Sequence, residues 1–430
     1  MPNYKKKKHS KLFSSQGKPK KSNTVKAENF FEDFTAMAKD TNKKSENEKG
    51  IKVLKGKKLA RKRRFKITAI ACAVLLSAII VLQTILPAGI VETLTNSVAL
   101  LGSGNYPINL ESADTVNVIS KNSYYYVLTD SYVKAFTNSG KNLFSYAHGM
   151  ENPIIKVSSS RALVFNQGST EGLIFNLNGL KSTITAKTEI ITGAISDSGI
   201  FALATHSDKY SSAVTVYNKA QETLYEWYSA KETVNNVALS PNGKKLAVSS
   251  FSSDVGEYKS TLNVLNFKSA TPEYTESFEE TLIYNIDTSS RSCFTVVTPN
   301  KIKFIKWSKF KTAEYTNDYT ISFFKAYHNS SIAVFNRENN KNDNRIVVFG
   351  RNGKKLYEFA YNNIISDINL FDKHIYTMSE TEIYSLDTNG KPLKKASCGF
   401  GVAFFKVNSV NNISVITDNK IEKIKLEEPS

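Results

Sequence analysis

Three features of the sequence predict its fold class. A short apolar strand recurs eight times between residues 124 and 418. Asn-Gly turns stand between several of the repeats. A single run of twenty uncharged residues lies near the start. Together they predict an all-β chain, a β-propeller of eight blades with seven as the alternative, set behind one transmembrane helix and a disordered basic tail. The expected organisation is a cytoplasmic tail over 1–66, a transmembrane helix over 67–86, a short helix and linker over 87–104, and an extracellular propeller over 105–430.

The tail explains the charge. The chain carries a formal +18. Residues 1–66 hold 22 Lys and Arg against 6 Asp and Glu, a net of +16. The remainder holds 57 − 22 = 35 basic and 39 − 6 = 33 acidic groups, a net of only +2. A nucleic-acid partner is therefore not expected of the body of the protein. Most of the tail is Lys, Ser, Asn, Gly and Glu, a composition that buries too little apolar surface to offset ordering entropy. One island differs. In AENFFEDFTAMAKD (27–40), Phe30, Phe31, Phe34 and Met37 recur at helical spacing behind Glu28, Glu32 and Asp33, acids that favour a helix N-terminus. This island reads as a short amphipathic helix for a cytoplasmic protein partner, or as a transient cluster with none.

Residues 67–86, ITAIACAVLLSAIIVLQTIL, carry no charge. A helix of that length spans about 30 Å, the thickness of the bilayer's hydrocarbon core. It is longer than a signal-peptide core and follows a long tail, which argues for an uncleaved anchor. The flank before it is basic, which predicts an N-terminus inside the cell and the rest outside. Lys57, Lys58, Arg61, Lys62, Arg63, Arg64 and Lys66 are expected to lie on the anionic lipid of the inner surface. The run has no GxxxG, so dimerisation through it is not indicated. Residues 88–101 have apolar spacing suited to a short helix, which GSGNYP (102–107) ends.

The repeat is visible when one strand is aligned: YYYVLTD at 124, RALVFNQ at 161, GIFALAT at 199, KKLAVSS at 244, CFTVVTP at 293, SIAVFNR at 331, HIYTMSE at 374 and NISVITD at 412. Successive starts are 37, 38, 45, 49, 38, 43 and 38 residues apart. Asn-Gly at 178–179, 242–243, 352–353 and 389–390 suits two-residue hairpin turns with positive φ. The last unit supplies three strands only, VAFFKV, NISVITD and KIEKIKL, so NYPINL (105–110) is expected to provide its outer strand and close the ring. The stretches 250–258 and 338–345 read as long loops inserted between strands.

These residues resemble known families. VALSPNGKKLAV (237–248) resembles the SPDGKxLA hairpin of WD40-like and TolB-like propellers, and the NGKxL turns resemble quinoprotein repeats. The whole layout resembles domain of unknown function 5711, a family of membrane proteins of Gram-positive, clostridia-like bacteria. The matching stretches are the anchor followed by GSGNYP, then ISDSGIFALATHSDKYSSAVTVYN (195–218), LYEWYSA (224–230) and NVALSPNGKKLAVSS (236–250). The resemblance implies a bacterial surface protein with a propeller ectodomain and carries no activity with it. Quinoproteins pack Trp-rich motifs, whereas this chain has only Trp227 and Trp307, so no quinone or other cofactor is expected.

No chemistry-bearing motif stands out. His148, His206, His328 and His374 are scattered, without HExxH or His-x-His spacing. There is no nucleophile elbow and no phosphate-binding glycine loop. Asn340, Asn342, Asp343 and Asn344 alternate but lack the acidic and glycine positions of a calcium loop. His206, Asp208 and Tyr210 share one turn. Trp227 and Tyr228 are expected on opposite faces of a strand, the first in the core. Cys293 and Cys398 fall in different repeats, against a bridge. The function expected is a non-catalytic binding or scaffold module at the cell surface that holds a protein or glycan. The alternative is a glycan-active hydrolase or lyase using funnel carboxylates. Acids, an Arg and a Tyr converging in the central funnel would favour the enzyme. A lining of Ser, Asn and Val would count against it.

Overall fold

The computed structural model describes residue 66, residues 68–70, and residues 88–428 except 112–113, 122, 255 and 289–291. Two compact units are present, Met1–Ile85 and Leu86–Ser430. In the first, Lys66 and residues 68–70 are helical and exposed. The segment 67–86, the set Lys57, Lys58, Arg61, Lys62, Arg63 and Arg64 expected at the lipid surface, and the island Phe30, Phe31, Phe34 and Met37 otherwise lie outside the described residues. Among the described residues no helix is long and apolar enough to cross a membrane.

The second unit is an eight-bladed β-propeller. Every sheet has four strands, and seven of the eight are simple meanders, for example Thr115–Ser120, Tyr124–Thr129, Tyr132–Thr137 and Asn142–Ala147. We letter the strands A to D within each blade. The A strands line the axis, so all A–B and C–D turns lie on one face of the disk and all B–C and D–A turns on the other.

The eight aligned sequence strands are the B strands. Burial accounts for their continuous apolar character. Tyr124–Thr129 is buried at all six positions, and its alternate residues serve two different interfaces. Tyr124, Tyr126 and Leu128 pack against blade 2 with Ile155, Ala162 and Phe175. Tyr125 and Val127 pack against blade 8 with Ile416 and Ile421. The core is accordingly divided into eight clusters, one at each blade boundary. Trp307 sits in the cluster between blades 4 and 5, its ring 4.5 Å from that of Phe294. Trp227 packs into the cluster between blades 3 and 4.

The ring closes as the sequence predicts. In blade 8 the sheet order places Ile108–Asn109 outside Lys420–Lys425, with Ile108 opposite Ile421. Leu110 follows, fully buried between blades 8 and 1, and its N–H donates to the Asn419 carbonyl at 2.8 Å. Cys293 and Cys398 are free thiols in blade 5 and beside blade 7.

Two expectations need correction. Only at Asn352–Gly353 do both Asn-Gly residues have positive φ, 71° and 81°. At Asn389–Gly390 only the glycine does, at 83°. There the Gly390 N–H donates to Asp387 O, the Asp387 N–H donates to Lys391 O, and the register shifts between Ser385 and Leu386. A type I turn followed by a glycine bulge preserves the strand twist and requires one positive φ instead of two. The second correction concerns the long stretches. Lys245–Asp254 and Glu257–Asn266 pair to the last residue, so 250–258 is a projecting hairpin. Likewise Asn340–Gly350 is a strand whose Asn344 turns inward, its amide donating to the carbonyls of Lys341 and Asn363.

The helix expected before GSGNYP is α1, Ala88–Ala99. It lies across the A–B and C–D turns of blades 1 to 3. Arg161 grips Glu92 through two bonds, Nε to Oε1 at 2.7 Å and Nη2 to Oε2 at 2.8 Å, with both side chains buried. Asn96 donates to Ser160 O and accepts from the Leu177 N–H. The Lys141 ammonium binds the carbonyls of Ala99 and Leu101, where a cation suits the negative end of the helix dipole.

Candidate functional site

The A–B turns of all eight blades converge on a central funnel of about 530 Å³ that opens on the α1 face. Each blade contributes the last residues of its inner strand, so the lining is drawn from segments roughly one repeat apart. Serines and asparagines make up eight of the 24 described lining residues, Ser120, Ser158, Ser196, Asn369 and Asn408 among them, and nine are apolar, including Val157, Ile195, Leu239, Leu370 and Val407. The lining includes Tyr124, Tyr327, Lys121, Lys406, Asp197 and His328, and among the described residues no arginine.

Hydrogen bonds from blade to blade hold this rim. The Ser159 N–H donates to Asp197 Oδ1 at 2.8 Å, joining blades 2 and 3. The Leu370 N–H donates to the Tyr327 hydroxyl at 3.0 Å, joining blades 6 and 7. Asn369 Nδ2 donates to Phe405 O at 3.1 Å, joining blades 7 and 8. Tyr124 spends its hydroxyl on the Ser159 carbonyl, and burial raises its pKa. Burial raises Tyr327 too. Neither phenol is prepared to ionise.

The inner strands also carry charge. Burial lowers the pKa of Lys121, opposed by Asp197 and Asp287. Burial lowers Lys156 likewise, opposed by Asp287. Lys406 is depressed to about 8 by burial, with Lys423 adding repulsion, and its ammonium donates to Asn408 Oδ1 at 2.9 Å. Lys325 is ion-paired with Asp367. The acids at the axis therefore stand beside lysines. The funnel offers ammonium and hydroxyl donors to a polar or anionic ligand, and among the described residues its lining holds one carboxylate, Asp197.

Candidate residues from the sequence are dispersed. His148 is structural: its Nε2 lies 3.0 Å from Thr129 O and its Nδ1 accepts the Met150 N–H. His374 Nδ1 lies against Asp372 O. His328 alone reaches the funnel, and His206 is exposed on the opposite face. Among the described residues no group of His, Cys, Asp and Glu is placed to hold a metal. Tyr210 does meet Tyr228, ring to ring at 4.9 Å, on the rim of blade 3, where the Tyr228 hydroxyl donates to Glu226 and Glu226 pairs with Lys187. The lining lysines Lys121 and Lys406 were not singled out in the sequence, because each looks like any other strand-end lysine until eight distant segments are brought to one axis.

Structures with similar architecture include BamB from Moraxella catarrhalis, at 10% identity over 75% of this chain and 99% of that one, with a TM-score of 0.49. A chain of the mitotic checkpoint complex aligns at 10% identity over 76% of this chain and 92% of its own, with a TM-score of 0.45. Similarities at this level bear on no partner or activity. No curated protein matches the chain in sequence. The family model that does match spans residues 105–426, the propeller with its closing strand, and the chain belongs to that family, the family of unknown function DUF5711.

Proposed function

We propose that the protein is a membrane-anchored binding or scaffold module whose propeller stands outside a bacterial cell and holds a protein or glycan, without catalysing a reaction on it. The observation that carries this reading is the funnel. Its rim is fixed by bonds between blades, its lining mixes serine and asparagine with apolar groups, and its one described lining acid, Asp197, stands beside Lys121. Such a surface suits recognition, because rigid donors bind without an ordering cost. Glycoside cleavage needs two carboxyl groups flanking the scissile bond, and Asp197 is the only carboxylate among the described lining residues. Anchoring rests on the uncharged run 67–86 and the basic residues before it. The tail, with Phe30, Phe31, Phe34 and Met37, is left inside to meet a cytoplasmic partner.

Crosslinking in intact cells followed by capture of the full-length chain, compared with a chain lacking residues 1–50, tests the arrangement. Partners captured equally by both belong to the propeller, and those lost with the tail are cytoplasmic. Protease added to whole cells should remove the C-terminal portion and spare the lysine-rich start. Digestion of the start alone overturns the topology. Turnover of a cell-wall glycan by the purified protein overturns the non-catalytic reading.

A further inference from the structure

Helix α1 is inverted. An amphipathic helix on a protein surface ordinarily buries its apolar stripe and exposes its polar one. Here the side seated on the propeller carries Glu92 and Asn96, four residues apart and both 7% exposed, fixed by Arg161, Ser160 and the Leu177 N–H. The side turned away carries Leu94, Val98 and Leu101, at helical spacing and 50%, 64% and 68% exposed, with the exposed Thr93 and Ser97 beside them. Ala99 and Leu100 help seat the helix on blades 1 and 2, so the outward stripe is not a consequence of a loosely placed element.

The turns around α1 are basic. On the A–B and C–D face the exposed lysines include Lys219, Lys244, Lys268, Lys309, Lys354 and Lys391. Of the acids there, Glu273 is paired with Lys245 at 2.7 Å, Asp387 accepts the N–H groups of Asn389 and Lys391, and Glu222, Asp372, Glu427 and Glu428 are exposed beside them. The B–C and D–A face carries the opposite sign, with exposed Asp130, Glu151, Asp208, Glu280, Asp318 and Glu380, interrupted by Lys187, Lys209, Lys231, Arg337 and Lys341. The near-neutral balance of the body therefore conceals two faces of opposite charge.

The chain says what meets the basic face. It enters this unit at Leu86, the last residue of the twenty-residue uncharged run, and only Pro87 separates that run from α1. We propose that the A–B and C–D face rests on a bilayer containing anionic lipid. The stripe Leu94, Val98 and Leu101 enters the headgroup layer, and the lysine turns meet lipid phosphates. Apolar residues on a short helix with basic groups beside them are the elements of an interfacial contact. The funnel then opens toward the membrane, so the partner it receives is one held at the membrane surface, and the acidic face looks outward. This inference rests on the anchored reading above.

The full chain, reconstituted into phosphatidylcholine vesicles with or without phosphatidylglycerol, tests it. An environment-sensitive dye is placed by L94C or V98C, and by F400C on the far face, in a background carrying C72S and C398S. Phe400 is 83% exposed. The expected result is a blue shift at 94 and 98, loss of their fluorescence to brominated lipid, and neither effect at 400. The quenching should weaken with K244E/K268E/K309E or with zwitterionic lipid alone. Three outcomes overturn the proposal: labels at 94 and 98 as accessible as that at 400, equal quenching at all three positions, or protection that follows protein concentration instead of lipid, which marks a second copy on the stripe. Flotation in alkaline carbonate separates the two readings. A chain that floats with exposed labels keeps the anchor and loses this proposal, whereas one that stays behind loses the anchor itself.

Discussion

Single residues at the edges of the propeller carry large, opposed electrostatic terms. Glu92 and Arg161 are buried together, with two short bonds between them. Removing one partner strands the other charge, a change that costs about 3 to 5 kcal/mol. Glu92→Ala is therefore expected to lower stability by about 3 kcal/mol, read from the urea midpoint. Replacing both residues by apolar ones should recover most of that loss. Lys406 behaves oppositely. Its pKa is about 8 when folded, against an ordinary 10.5, so between those values the unfolded chain binds more protons than the folded one. Stability consequently rises with pH through this window, and the buried ammonium weakens the fold below it. The shift corresponds to about 3 kcal/mol, from which the hydrogen bond to Asn408 subtracts about 1. Lys406→Met should gain about 2 kcal/mol at pH 7. The advantage should shrink as pH passes from 8 to 10.5, measured by paired denaturant titrations.

Among the elements, the strand that closes the ring is short and depends on the residue after it. Ile108–Asn109 pairs at only two positions, while Leu110 is fully buried between blades 8 and 1. Leu110→Ala is expected to cost about 3 kcal/mol. Amide hydrogen exchange should quicken first along Lys420–Lys425, the strand that Ile108–Asn109 covers. Closure was legible in the sequence because the last repeat lacks a strand and NYPINL stands unassigned at the start. The B strands were legible for a related reason: burial on both sides leaves no polar position to blur the repeat, and Tyr124–Thr129 shows this along its whole length. The Asn-Gly pairs marked turns correctly but not their geometry. Asn352–Gly353 and Asn389–Gly390 both lie in three-residue loops, closed by Gly350 N–H to Lys354 O and by Asp387 N–H to Lys391 O with a register shift before each, and only the first has a positive φ at the asparagine. The periodicity of 88–101 located α1 without revealing which side faces the propeller. That is set by Arg161, some seventy residues away in sequence. The funnel was the least legible part, because Lys121, Lys156, Asp197 and Asp287 become neighbours only on the axis.

At the scale of the whole molecule the architecture is a closed ring of eight equivalent interfaces. Each blade shares one apolar cluster with each neighbour, and no cluster is larger than its boundary. In an open array of such units, terminal repeats have one interface instead of two and fray first. Closure gives blades 1 and 8 the same two interfaces as the rest, so no blade is favoured to open before another. The tryptophans make this measurable, since Trp227 and Trp307 report on blades 3 to 5 only, while far-UV circular dichroism reports on every strand. Tyr125 lies far from both, in the cluster between blades 8 and 1. Tyr125→Ala should cost about 3 kcal/mol. In a ring that melts as one body, the fluorescence and dichroism transitions coincide in the native chain and move down together in the variant. Dichroism lost ahead of the tryptophan signal in the native chain would mean that the closing strand joins the two ends without coupling them. The same separation in Tyr125→Ala alone would mean that one weakened boundary is enough to turn the ring into a string of blades.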